Sequence, residues 1–124
     1  MNLYTTLKRL CLVSSVSGSE EKIREEIRSI ITPFVDEVSS DALGNLIALK
    51  KGRGNKKIML CAHMDEIGFI VNYIEENGMI RVGTLGGIRL AAASYTMLIS
   101  TKGVRGALCA NADAKTADYN NDVM

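Results

Sequence analysis

Apolar residues recur every three or four positions at the start of the chain: Leu3, Leu7, Leu10 and Cys11 share one helical face. This spacing predicts a first helix that runs out in Ser14-Ser15-Val16-Ser17-Gly18. A second helix is expected next. Ser17 and Glu20 stand at the spacing of a capping box, with Ser19 as a rival N-cap. Ile23, Ile27, Ile30 and Ile31 form its apolar face, and Lys22, Arg24, Glu25, Glu26 and Arg28 cover the rest. Pro33, the only proline, stops it, because it lacks an N–H and clashes with the preceding turn. Both helices are expected to cover a sheet.

After Pro33 the period shortens. Residues 34–38 read as a short strand, residues 41–45 as a turn in which Gly44 and Asn45 tolerate positive φ, and residues 46–50 as a second strand. Gly52-Arg53-Gly54-Asn55 is a loop. Residues 57–62 read as a third strand, continuously apolar from Ile58, as expected of a central strand buried on both faces. From Gly68 onward the pattern predicts strands only. Residues 69–74 and 79–82 flank Asn77-Gly78, a hairpin signal. Residues 95–100 and 104–110 flank a turn at Lys102-Gly103. Residues 111–124 are polar, with no closing element, and no internal repeat or low-complexity linker is found. The change of pattern places an expected domain boundary between residues 1–67 and residues 68–124.

Composition adds exclusions. A length of 124 residues is, by itself, that of one domain, and 47% hydrophobic with 23% charged residues excludes a disordered chain. A net charge of +1 argues against a generally basic nucleic-acid binder. Three widely spaced cysteines, Cys11, Cys61 and Cys109, make no disulfide framework and fit a reducing compartment. Each lies in an apolar run, and Cys61 is expected to face the core. The N-terminus lacks signal-peptide features and no apolar stretch is long enough to span a bilayer, so a cytoplasmic location without a membrane partner is expected.

The single histidine, His63, falls just past the apolar run 57–62, within Cys61-Ala62-His63-Met64-Asp65-Glu66-Ile67-Gly68-Phe69. The carboxyl end of a buried strand is where ligands and catalytic groups gather. Imidazole is the commonest protein metal ligand, and a nearby carboxylate fixes its tautomer, so Asp65 can orient His63. Glu66 is either a further ligand or a loop carboxylate. The plain alternative is an ordinary lone histidine, since one His and one Asp do not close a zinc site. Asp36 and Asp41 fit turn roles. Gly83, Gly86 and Gly87 sit between strands, which favours a β-turn or bulge over a phosphate loop. Lys50, Lys51, Arg53, Lys56 and Lys57 flank a glycine loop without aromatic interleaving and read as a solvated loop.

Taken in order, several runs resemble the start of the glutamyl and deblocking aminopeptidases, co-catalytic metallopeptidases that form tetrahedral particles. They are Ser15-Val16-Ser17-Gly18-Ser19-Glu20-Glu21, then Asp41-Ala42-Leu43-Gly44-Asn45-Leu46-Ile47-Ala48, then residues 57–69 with His63-Met64-Asp65-Glu66-Ile67-Gly68-Phe69. Gly86-Gly87 and Gly103-Val104-Arg105-Gly106 also fit. The resemblance implies that His63 is the first metal-ligand histidine and that Asp65 supports the metal-bound imidazole. It implies an α/β fold: the N-terminal part of a metallopeptidase α/β sandwich, then the start of an inserted, small β-barrel-like assembly domain. It further implies two divalent metals, zinc or cobalt, in the complete enzyme, a peptide substrate and a homo-oligomer. The remaining ligands and the general base come later in that family's chain, so these residues alone are expected to be inactive. The alternative is a non-catalytic assembly or binding module derived from such a peptidase. An endoglucanase label carried by some relatives fits a ligand-like histidine poorly, because glycosidases generally use two facing carboxylates.

Overall fold

The computed structural model describes residues 2–109, which divide into two units between Glu66 and Ile67. The predicted polar stretch 111–124 and the last residue of the expected strand 104–110 lie outside the described residues.

The first unit opens with α1 (Leu3–Cys11), capped by the Asn2 side chain, which accepts from the N–H groups of Tyr4 and Thr5. A second helix, α2 (Glu21–Ile31), follows. Ile23 is 3% exposed, and Ile27, Ile30 and Ile31 are half-buried, as the helical period requires. Pro33 ends the helix through a 3₁₀ turn, Thr32–Phe34. That turn takes up the start of the strand expected at residues 34–38 and moves it to β1 (Glu37–Ser40). β1 pairs antiparallel with β2 (Leu46–Leu49), Glu37 opposite Leu49 and Ser40 opposite Leu46. Arg28 Nη2 donates to Ser40 Oγ at 2.8 Å and Arg24 Nη1 to the Gly44 carbonyl at 3.2 Å, tying α2 to the hairpin. Arg9 meets Glu26 Oε1 at 2.6 Å and links α1 to α2.

The turn between β1 and β2 is built by Asp41. Its Oδ1 accepts from the N–H groups of Leu43 (3.0 Å) and Asn45 (2.9 Å), and Oδ2 accepts from Asn45 Nδ2 (2.8 Å). Gly44 takes φ +88°, the left-handed region that a side chain resists. Asn45, expected to share that freedom, does not take positive φ. The Asn45 side chain foremost, then the backbone N–H groups, hold the Asp41 carboxyl below the ordinary value of 3.8. A carboxylate with a depressed folded pKa lends stability above its unfolded pKa, and that stability disappears as pH falls through the folded one. The amide resonances of Leu43 and Asn45 should therefore hold steady from neutral pH down to about 4 and move only below it, whereas in Asp41→Ala they should be displaced at every pH. Resonances that shift already between pH 6 and 5 would contradict this.

The expected third strand is corrected. Residues 57–62 form no strand and share no backbone hydrogen bond with another described segment. Ile58, Met59 and Leu60 are 86%, 85% and 92% exposed, and Cys61 is exposed rather than turned into a core. A central strand exists only when both its edges are paired. Here β1 and β2 pair with each other alone, and the outer edge of neither is hydrogen-bonded to residues 57–62.

The second unit holds β3 (Gly68–Ile74) and β4 (Ile80–Leu85), antiparallel, with a bulge between Val71 and Tyr73. Their turn spans Glu75 to Met79. Glu75 N–H donates to the Met79 carbonyl at 2.8 Å, and Gly78 takes φ +85°, as the Asn-Gly signal requires. The strands-only expectation is corrected next, because Leu90-Ala91-Ala92-Ala93, rich in the best helix former, makes a short helix, α3 (Leu90–Ala93). β5 (Met97–Ile99) and β6 (Arg105–Ala107) then pair around a turn with Gly103 at φ +83°. Leu108, 2% exposed, is held by its N–H on the Thr96 carbonyl and its own carbonyl on the Tyr95 N–H. The four strands among the described residues of this unit pair as two separate ribbons. The described residues thus mix helix and strand, while the core is thin: Ile23 and Leu108 are the buried apolar side chains among them.

Candidate functional site

The His63–Asp65 segment follows the unpaired apolar run and is anchored by the loop after α1. Val16 and Glu66 form an isolated parallel bridge. The Glu66 N–H donates to the Ser15 carbonyl at 2.9 Å, and the Ser15 N–H donates to Glu66 Oε1 at 2.9 Å. Ser15 is 4% exposed, so this double attachment is largely shielded from water. Glu66, weighed above as a ligand or a loop carboxylate, has an oxygen committed to the loop.

His63 itself is open to solvent, its side chain 85% exposed. Its Nδ1 lies 3.0 Å from Asp65 Oδ1 and 3.0 Å from the Asp65 backbone carbonyl. Both neighbours are acceptors. In the neutral ring the proton therefore sits on Nδ1, and Nε2 keeps its lone pair toward solvent. This is the arrangement of a metal-bound imidazole, whose second nitrogen is held by a carboxylate or carbonyl. The other carboxylate oxygen of Asp65, Oδ2, accepts from the Ser17 hydroxyl. The Ser17 hydroxyl first, and the His63 imidazole second, pull the Asp65 carboxyl below the ordinary aspartate range. Asp65 is thus an ionised carboxylate with both oxygens bonded.

The donor chemistry fits one corner of a metal site. His63 supplies one imidazole nitrogen. Among the described residues no group of three or more His, Cys, Asp or Glu side chains gathers to complete a site. Asp36 and Asp41 stay with their loops: Asp36 Oδ2 accepts the Lys51 N–H at 2.6 Å and Oδ1 lies 3.6 Å from Lys50 Nζ. The basic loop is solvated as expected, with Lys51 also 2.8 Å from Glu37. Ser17 has a partner that its capping-box spacing does not predict. Ser17 and its rival Ser19 are the N-caps that the spacing offers for α2, but the N-cap is Glu20 and makes no side-chain capping bond. Glu20 Oε1 instead accepts the Gly18 N–H at 2.5 Å. The available signal was the serine-rich run, whose polarity exceeds what one cap needs.

Comparison with known proteins adds the following. The family model of the M42 glutamyl aminopeptidases matches residues 44–116. Lysyl aminopeptidase of Pyrococcus furiosus is 42% identical over 86 residues, which are 68% of this chain and 25% of that protein. The solved structure of an endoglucanase of Thermotoga maritima is 40% identical, with a TM-score of 0.77 over 85% of this chain and 34% of that one. The TET1 peptidase of Pyrococcus horikoshii, described as assembling into a tetrahedron or a large octahedral shell, is 30% identical. Its TM-score is 0.75 over 99% of this chain and 40% of that one. The chain spans about a quarter of the length of the curated relatives it matches.

Proposed function

Since the chain belongs to the M42 glutamyl aminopeptidase family, we propose that it is the N-terminal portion of a metal-dependent aminopeptidase, with His63 a metal ligand and Asp65 the residue that orients it. The reading rests on one observation above all: the His63 Nδ1 faces two acceptor oxygens of Asp65 at 3.0 Å, which leaves Nε2 unprotonated and exposed. Two divalent ions, zinc or cobalt, would when bound polarise the scissile carbonyl of a peptide and lower the pKa of a shared water. The contribution of these residues is to hold Nε2 as a donor in a fixed direction. Asp65 carries the Nδ1 proton contact and keeps its own charge, which fixes the tautomer and the ring orientation of the imidazole as a ligand.

The residues 1–67 would be the start of the peptidase α/β domain, and residues 68–124 the start of an inserted β-rich assembly domain. The named assemblies of the TET1 peptidase support a homo-oligomer in the complete protein. A glycosidase reading, after the endoglucanase name of the Thermotoga maritima neighbour, has less support. Asp65 has both oxygens engaged by neighbours and is poorly placed to serve as one of two facing acid and base carboxylates.

Metal binding is testable on the chain as it stands. Zinc titrated into the ¹⁵N-labelled protein should shift the Nε2 resonance of the one imidazole and leave Nδ1 bonded. Uptake should be weak, because one ligand replaces the usual three or four. His63→Ala should abolish it. If zinc bound equally well to His63→Ala while the chain oligomerised on size-exclusion chromatography, the non-catalytic assembly module would be the better reading.

A further inference from the structure

The loop Ser15-Val16-Ser17 is a part of the molecule that the proposed metal ligand does not account for, although it is bonded to the site at three points. We propose that Ser17 is a positioning residue for the His63–Asp65 pair, its hydroxyl clamping the carboxylate so that Oδ1 faces the imidazole; this rests on the reading of His63 as a ligand oriented by Asp65. The argument is geometric. The terminal torsion of an aspartate is broad and roughly two-fold, so a single hydrogen bond to one oxygen leaves the carboxylate free to swing. Asp65 Oδ1 is engaged by His63 Nδ1 at 3.0 Å. Ser17 donates to the opposite oxygen, Oδ2, and this second bond fixes the plane.

The clamp is itself anchored. Val16 bridges Glu66, and Ser15 exchanges two hydrogen bonds with Glu66 at 2.9 Å each. Ser17 is therefore held one residue from an attachment point that adjoins Asp65. A hydroxyl free to rotate would select an acceptor from water. One carried on a tethered loop has an acceptor chosen for it, and the entropy of orienting the carboxylate is met by the loop. The alternative role for Ser17, capping α2, is not taken up, since α2 has no side-chain capping bond. The order of dependence is loop to Ser17, Ser17 to Asp65, Asp65 to His63 Nδ1, and so to the lone pair on Nε2.

The test reads the tautomer of the single histidine by long-range ¹H–¹⁵N correlation on the labelled chain without metal, at a pH where the ring is neutral. In the native protein the Nδ1–H form should dominate. Ser17→Thr keeps the hydroxyl and should preserve the ratio. Ser17→Val, nearly the same shape as threonine without the donor, and Ser17→Ala should shift it toward the Nε2–H form by about two- to tenfold, the range commanded by one hydrogen bond of ordinary net strength. If Ser17→Val and Ser17→Ala match the native ratio while Asp65→Ala shifts it, the pair stands and the role of Ser17 is overturned. If Asp65→Ala also leaves it unchanged, the orientation of His63 by Asp65 falls as well. Amide resonances of β1 and β2 report folding. Their loss in Ser17→Val and Ser17→Ala, but not in Ser17→Thr, would assign the hydroxyl to folding and overturn the proposal.

Discussion

The 124 residues on their own, purified with added zinc or cobalt, are expected to leave aminoacyl-nitroanilides unhydrolysed. Hydrolysis at a two-metal site needs a bridging carboxylate, several further ligands and a base for the water. The described residues supply one imidazole with a carboxylate bonded to it, and no third donor gathers beside them. With a single histidine in the chain, no second imidazole ligand is available from it. The same residues continued over the length of the curated relatives should hydrolyse the substrate and lose activity to a chelator. The difference should be about 10⁶-fold or more, the lower end of what enzymes achieve over the uncatalysed reaction. Robust turnover by the 124 residues alone would show that the catalytic apparatus is complete within them, and the proposed division of the active site along a longer chain would fail.

The second large effect concerns residues 57–62. Ile58, Met59 and Leu60 are almost fully exposed, and each is worth about 1.5–3 kcal/mol if buried. Three together make roughly 5–9 kcal/mol of burial drive, carried on a segment with unpaired backbone groups, the combination that recruits other chains. Lys56 and Lys57 at its start are the kind of charges that restrain such pairing without abolishing it. The double substitution Ile58→Glu with Leu60→Glu should hold the 124-residue chain monomeric to about tenfold higher concentration, measured by light scattering on a sizing column. In a polypeptide continued over the relatives' length the sign should reverse. There the segment is expected to be a central strand, and two buried carboxylates would cost several kcal/mol each and prevent folding. Equal association of native and substituted short chains would remove the segment as the driver.

Much of the local structure was legible along the chain. α1 and α2 follow from a 3.6-residue period, the stop at Pro33 from its missing N–H, and the hairpins of β3–β4 and β5–β6 from Gly78 and Gly103 between apolar runs. His63 and Asp65 could be paired by eye because one residue separates them, and the structure puts His63 Nδ1 3.0 Å from Asp65 Oδ1. The short helix α3 was missed because four residues are too few to show a period.

What the sequence determined by itself is therefore what acts over a few residues: helix faces, turns, the His-x-Asp pair and the family to which its motifs belong. Tertiary structure alone decided where Ser17 spends its hydroxyl, since a bond to Asp65 across 48 positions competes with a local cap that the spacing favours equally well. It also decided the state of residues 57–62. Hydrophobicity says that a segment should be buried, but burial is completed by pairing with strands elsewhere in a chain, and none of the described strands pairs with it. Local propensity is read from neighbours in sequence, whereas pairing and orientation depend on neighbours in space.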